Sequence, residues 1–351
     1  MARTLKFMEE PEMNPGYVNC PYGEGCERIG IHNRKERLYK CHECNKTFSE
    51  TKGTVFENLQ YPCWVVVLVL KLLAYGCPVQ AMVKALGIDE RTIIEWQAKA
   101  GLKGRQVQEA IVCNGEVELG QTQADEIYVN LQGGKAWMAT AIVVFCRLWL
   151  WGEVSHHRDK HLILRLMNKV AQAAASTTEP LLLAVDGFAA YPKAILRAFH
   201  TKLYTGLPGR PRHLTWPNLN IVQVVKSYKG RALTQAQGRL FLGQWQHVYS
   251  LIGLSQLAPG KINTSYIERL NATFRSRMPT LVRRTRQLAR TCRRLELEMF
   301  WFGTVYNFCT IHSSLDATPA MAAGLTDNAW SIDQLLRFGG VSFSTPRRSV
   351  E

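Results

Sequence analysis

The sequence of 351 residues lacks any run approaching the ~18 uninterrupted apolar residues that span a bilayer. Its nearest candidate, Trp64 to Leu70, stops at Lys71. The opening MARTLKFMEE also lacks the apolar stretch of a secretory leader and has acids in its place. These absences predict a cytoplasmic protein with no membrane partner, whose ten cysteines are reduced thiols, ligands or core residues rather than disulfides. At 46% hydrophobic and 20% charged residues, the composition excludes disordered and collagen-like classes. The length allows two or three domains.

A second absence is local. Between Asp186 and Glu268 there is no acid, while ten Lys or Arg occur; from Arg269 to Arg294 there are nine arginines and again no acid. Residues 113–351 hold 28 basic and 15 acidic side chains of the 43 and 28 in the whole chain. A surface kept soluble intersperses charge. Excluding acids over so long a stretch suits a polyanion held by phosphate neutralisation, so the partner expected is nucleic acid.

Cys20, Cys26, Cys41 and Cys44 fall close together and end in a Cys-x-x-Cys. Two thiolate pairs at this separation predict one structural zinc in a small ribbon, with His32 or His42 as possible replacements for a cysteine. Three helices are expected next. Pro62 opens WVVVLVLKLLAYG, Pro78 to Leu86 forms a second, and Asp89 caps a third that ends at Gly101. Helix, short turn, helix is the helix-turn-helix arrangement, whose last helix can enter the major groove and would present Arg91, Thr92, Glu95 and Trp96.

From residue 121 the pattern becomes strands: QTQADEIYVNL, AWMATAIVVF and LWLWGEVS, then a helix from Asp159 and the buried strand LLLAVDG. Asp125 lies beside Glu126 in the first strand, and alternation allows only one of the two to share a site with other strands' carboxylates. Asp186 directly follows LLLAV, where an acid is unfavourable unless paired or metal-bound. Glu268, Asn271 and Arg275 share one side of a helix expected from Thr264 or Ser265 to about Met278. Two aspartates and a glutamate suit Mg²⁺ (or Mn²⁺), and two such ions ~3.5–4 Å apart would serve an in-line displacement at phosphorus.

QADEIY, AVDGFAAY and INTSYIERLNATFRSRMPTLVRRT resemble the three acidic motifs of bacterial DDE transposases, most closely the insertion-sequence-one family. The likeness extends through YNFCTIHSSL and TPAMAAGLTD and back into the cysteine and helical region, so it covers nearly the whole chain. It implies an α/β, RNase H-like mixed sheet flanked by helices, preceded by a zinc ribbon and an all-α helix-turn-helix. The divisions expected are 1–58, 59–112, a catalytic domain at 113–315 with an insertion at about 200–262, and a tail at 316–351. Asp125, Asp186 and Glu268 would be the catalytic ligands. Arg91, Thr92, Trp96, Arg269, Asn271, Arg275, Arg277, Arg283 and Arg284 would contact DNA. Tyr306, Asn307 and His312 match the family pattern and are expected to pack near the last helix. The implied protein is a nucleoid-associated homo-oligomer acting on element ends and target DNA. The alternatives are a catalytically inactive DNA-binding regulator and a nuclease of the same fold cutting hybrids or branched DNA.

Overall fold

The computed structural model describes residues 13, 18, 20–23, 26, 28–175, 179–204, 210–230, 232–255, 262–282 and 287–339. Near the N-terminus, β1 (Ile29–Asn33), β2 (Leu38–Cys41) and β3 (Thr47–Ser49) form an antiparallel three-stranded sheet. It has its own small core, in which Tyr39 stacks on Phe48.

Three helices follow: α1 (Cys63–Ala74), α2 (Val79–Leu86) and α3 (Glu90–Val107). Their punctuation follows the chemistry of the ends. Gly87 closes α2 at φ 66°, and Asp89 caps α3 by accepting the Arg91 N–H at 2.8 Å. The expected stop at Gly101 is corrected: α3 runs on through Gly101 and Gly104 and ends in a π-helical turn, Gln108–Val112. Both glycines lie against α8 (Cys292–Phe308), where a Cβ at Gly101 would collide with the Leu297 backbone. Glycine serves close approach here, not termination. The Trp301 indole N–H donates to Leu70 O at 3.1 Å, so α1 and α3 share one hydrophobic cluster with the remainder of the fold.

The principal sheet has six strands. β4 (Gln121–Leu131), β5 (Gly134–Val143) and β6 (Trp149–Ser155) form an antiparallel meander. After α4 (Lys160–Ala173), β7 (Leu181–Asp186) pairs parallel to β4. Then come α5 (Ala190–Ala198) and a small hairpin, β8 (His200–Leu203) with β9 (Arg212–Thr215). β10 (Leu219–Lys229) pairs parallel to β7, and β11 (Ala232–Leu242) closes the edge antiparallel, giving the order β11-β10-β7-β4-β5-β6. Residues 200–262, expected as an insertion, thus contribute two strands of the main sheet, and α6 (Trp245–Ser255) packs Val248 and Ile252 on Leu182 and Val222.

Alternation decides what each face buries. Thr122, Ala124 and Glu126 turn one way; Gln123, Asp125 and Ile127 turn the other. Helix α4 covers β5 and β6 on the first side with Leu162, Leu166 and Val170. α7 (Ser265–Arg277) lies over β4 and β5 on the second, beside α8. There Phe274 and Phe300 each meet Trp149 edge-to-face, and all three rings are fully buried. Asn307 binds both the N–H and the carbonyl of Trp149, and Tyr306 donates to Arg147 O, so these residues do pack at the last long helix as expected. The described part of the tail is folded: α9 (Pro319–Ala322) and α10 (Ile332–Arg337) bury Ala320, Leu335 and Leu336. Among the described residues no helix is long and apolar enough to cross a membrane.

Candidate functional site

Pairing of β4 with β7 ends at Ala124↔Val185, and the next residue on each strand is an aspartate. Asp125 and Asp186 therefore sit side by side where β7 terminates, the end of a parallel strand at which open α/β sheets build their sites. Oxygens of Asp125, Glu126 and Asp186 all lie within 4.8 Å of one another. This corrects the expectation that only one of Asp125 and Glu126 could join such a cluster. Asp186 is the last residue of β7, with no β4 partner beyond Ala124↔Val185, and Arg158 bridges it to Glu126. The Arg158 guanidinium donates to Glu126 Oε2 at 3.2 Å and to Asp186 Oδ2 at 3.0 Å. It lies 4.3 Å from the Phe188 ring centre and 5.2 Å from that of Trp137.

Each carboxylate has a different environment. Asp186 is half-buried, and its Oδ1 accepts the Phe188 N–H at 2.9 Å. Asp125 accepts from Asn271 Nδ2 at 2.9 Å, and Asn271 Oδ1 in turn accepts from Thr140 on the adjacent strand. The Glu126 side chain is fully enclosed; burial, then the charge of Asp186, push its carboxyl up to about 7 against the pull of Arg158. Among the described residues no donor reaches its Oε1. The hydroxyl of Tyr191, in the first turn of α5, is also wholly buried without a partner. Burial raises its pKa well above the phenol range, and the charges of Glu126, Asp186 and Asp125 add to the effect.

Helix α7 is fixed over this centre from the strand below. Thr264 or Ser265 was expected to cap it; Thr264 holds the N-cap position without a side-chain cap bond, and Gln123 supplies that acceptor, its Oε1 taking the N–H groups of Tyr266 and Ile267 at 3.1 and 3.0 Å. Thr264 instead donates to Glu268 Oε1 at 2.6 Å. Glu268 is exposed on α7, one turn before Asn271, and among the described residues it belongs to no group of three carboxylates at the 4.8 Å spacing. The expected meeting of Asp125, Asp186 and Glu268 is thus present for the two aspartates, while the third acid in contact is Glu126.

Two expected DNA contacts are corrected. Asn271 is 2% exposed and engaged at both ends of its amide, and Trp96 is 2% exposed and packed edge-to-face on Tyr61. Both follow from helix phase: Ile93, Trp96 and Ala100 form the inward stripe of α3, as Ile267, Leu270, Asn271 and Phe274 do on α7. Arg91 and Arg269 are exposed, and Thr92, Arg275 and Arg277 are partly buried. Arg277 lies over Tyr75 at 4.5 Å. Arg283 and Arg284 lie outside the described residues. Arg158 and Gln123 were missed by sequence reasoning. Arg158 precedes a helix cap and has no motif around it, whereas Gln123, two residues before Asp125, shares its face by alternation alone.

The four N-terminal sulfurs form a second cluster, all within 4.8 Å. Cys20 and Cys44 Sγ are 3.6 Å apart, and the Cys44 N–H points to Cys41 Sγ at 3.5 Å. That bond leads in lowering the Cys41 thiol to about 7. Burial, with Cys41 and Cys20 adjoining, pushes Cys26 up to about 12. The group contains neither His32 nor His42, so the cysteines alone make a possible four-coordinate site. In comparisons with known proteins, neither a family model nor a curated protein matches this sequence.

Proposed function

We propose that the chain is a DDE-type DNA transposase that binds element ends and cleaves and joins DNA at the acidic centre. The observation that carries this reading is the juxtaposition of Asp125 and Asp186 just past the last β4–β7 pair, in a chain whose basic stretches exclude acids. An RNase H-like fold is supported by the sheet order, with an antiparallel meander joined through β4 to the parallel strands β7 and β10. Asp125 and Asp186 would hold Mg²⁺ or Mn²⁺, with Glu268 on the helix above as the third acid of the motif. When bound, such ions stabilise the attacking and leaving oxygens of a phosphodiester. The donor set fits, since hard carboxylates gather beside an unsatisfied buried oxygen.

The chain's own residues orient this centre. Asn271 holds the Asp125 carboxylate, the Phe188 N–H holds Asp186, and Gln123 fixes α7 above both. Arg269 and Arg275, flanking Asn271 on α7, would take adjoining phosphates. Water, then a DNA 3′ hydroxyl, would be the nucleophile, without a covalent protein intermediate. Cys20, Cys26, Cys41 and Cys44 would hold one structural zinc. DNA ends and target are the partners, and a homo-oligomer would pair two ends in the cytoplasm, at the nucleoid.

A second reading, an inactive DNA-binding regulator, is favoured by the position of Glu268 outside the acid cluster and by the ion pair of Arg158 with Asp186. The two readings part on Asp186→Asn. For a transposase this change leaves end binding intact and abolishes Mg²⁺- or Mn²⁺-dependent nicking of terminal DNA. No metal-dependent nicking by the unaltered protein would support the regulator.

A further inference from the structure

Glu126 is the acid of the centre for which the DDE reading has no use. Its side chain is 0% exposed beside two other carboxylates, an unfavourable place for a charge without compensation. Arg158 compensates one oxygen, through the bond to Oε2 at 3.2 Å, while Oε1 has no donor among the described residues. Tyr191 is an independent observation beside the same arginine. It comes from another element, its hydroxyl is fully buried and unpartnered, and its ring stands edge-on to that of Phe188 at 6.4 Å, the ring that Arg158 covers at 4.3 Å.

A carboxylate oxygen and a phenol oxygen are thus both left unsatisfied beside Arg158. A hydrated divalent cation answers both, because the metal ligates the carboxylate oxygen and a water on it donates to the phenol oxygen. Charge agrees in sign: Arg158 pairs with Glu126 and Asp186, and a divalent ion adds positive charge among the three carboxylates. Size agrees as well, since metal–oxygen distances of 2.0–2.1 Å put neighbouring ligand oxygens about 3–4 Å apart, a small contraction from the 4.8 Å limit here.

We propose that Glu126 is a direct ligand of the divalent-cation centre, with Tyr191 bonded to a water of that ion and Arg158 as its fixed counter-cation. The inference rests on the reading of Asp125 and Asp186 as cation ligands. It assigns the residue following the first aspartate a role in holding metal before DNA arrives, independent of Glu268.

Titration of the DNA-free full-length protein with Mn²⁺, reading unbound Mn²⁺ by electron paramagnetic resonance, tests it. Glu126→Gln, nearly isosteric, should weaken the tightest Mn²⁺ site by about 10-fold or more, and Tyr191→Phe by about 3- to 10-fold. Glu116→Gln, an exposed acid elsewhere, serves as the control. Should Glu126→Gln lose the cooperative melt of the parent, Glu126→Asp, which keeps the charge and withdraws the carboxylate, should show the same weakening. Parental affinity in the folded Glu126 variants overturns the inference. Asp186→Asn separates it from the reading beneath. If that change abolishes Mn²⁺ binding while the Glu126 variants bind normally, Glu126 alone is excluded; if it leaves binding unchanged, the aspartate centre falls and this inference with it.

Discussion

The Asn271 side-chain amide donates to Asp125 Oδ2 at 2.9 Å and joins helix α7 to the strand carrying the first aspartate. Asn271 is buried and its other end accepts from Thr140, so the bond is part of a closed chain of polar contacts from β5 through α7 to β4. Asn271→Ala leaves the Thr140 hydroxyl and a carboxylate oxygen short of this partner. It should lower unfolding free energy by about 1–3 kcal/mol in urea melts. Cleavage should fall well beyond the loss of folded protein while DNA affinity is retained. Asn271→Asp, which places a second acid against Asp125, should be worse on both counts.

At Gly101 and Gly104 the backbones of α3 and α8 approach closely. Gly101→Ala must push the helices apart and should cost about 1–3 kcal/mol by overpacking. Gly253, inside α6, has open space around its Cβ position, so Gly253→Ala should be neutral or stabilising by up to about 1 kcal/mol. Thermal melts of the two variants compare helix propensity with close packing directly.

The cysteine cluster predicts about one zinc per chain by metal analysis of freshly purified protein. Replacing Cys41 and Cys44 together by Ser should remove it. The ribbon's core is small, so the same change should make residues 28–49 sensitive to protease while the six-stranded sheet keeps its melt.

His312 gives a pH signature away from both clusters. Burial leads in lowering its pKa, with Arg147 and Arg269 adding, while Tyr306 bonds its Nε2 at 3.2 Å. A histidine with a depressed folded pKa resists protonation in the native state, whereas the unfolded chain takes up the proton near pH 6.5. Stability should therefore decline as pH falls below about 6.5, and His312→Asn should remove that part of the decline in pH-dependent denaturant melts.

Much of this architecture is legible in residue pattern. The meander, α4, β7 and α5 emerge from alternation, helical spacing and the apolar run LLLAV, and the four cysteines from their crowding. Departures come where tertiary contact overrides a local signal. Gly101 looks like a helix stop but supplies an interhelical contact, and Trp96 looks like a groove-reading side chain but faces Tyr61. β11, with Thr234, Gln235 and Gln237, lacks the apolar run of a buried strand because it is the sheet edge. Glu126 could not be placed with Asp125 by alternation, because its meeting with Asp186 depends on where β7 ends and on Arg158, a distant residue without a motif.

The most direct test of the central claim, that the aspartates on β4 and β7 hold the ions that act on DNA, is a metal switch at Asp186. Thiolate is a poor ligand for Mg²⁺ and a better one for the softer Mn²⁺. Nicking of terminal DNA by Asp186→Cys should therefore vanish in Mg²⁺ and return in Mn²⁺, with end binding equal in both. Equal nicking by this variant in Mg²⁺ and Mn²⁺, at the level of the parent, would contradict the account.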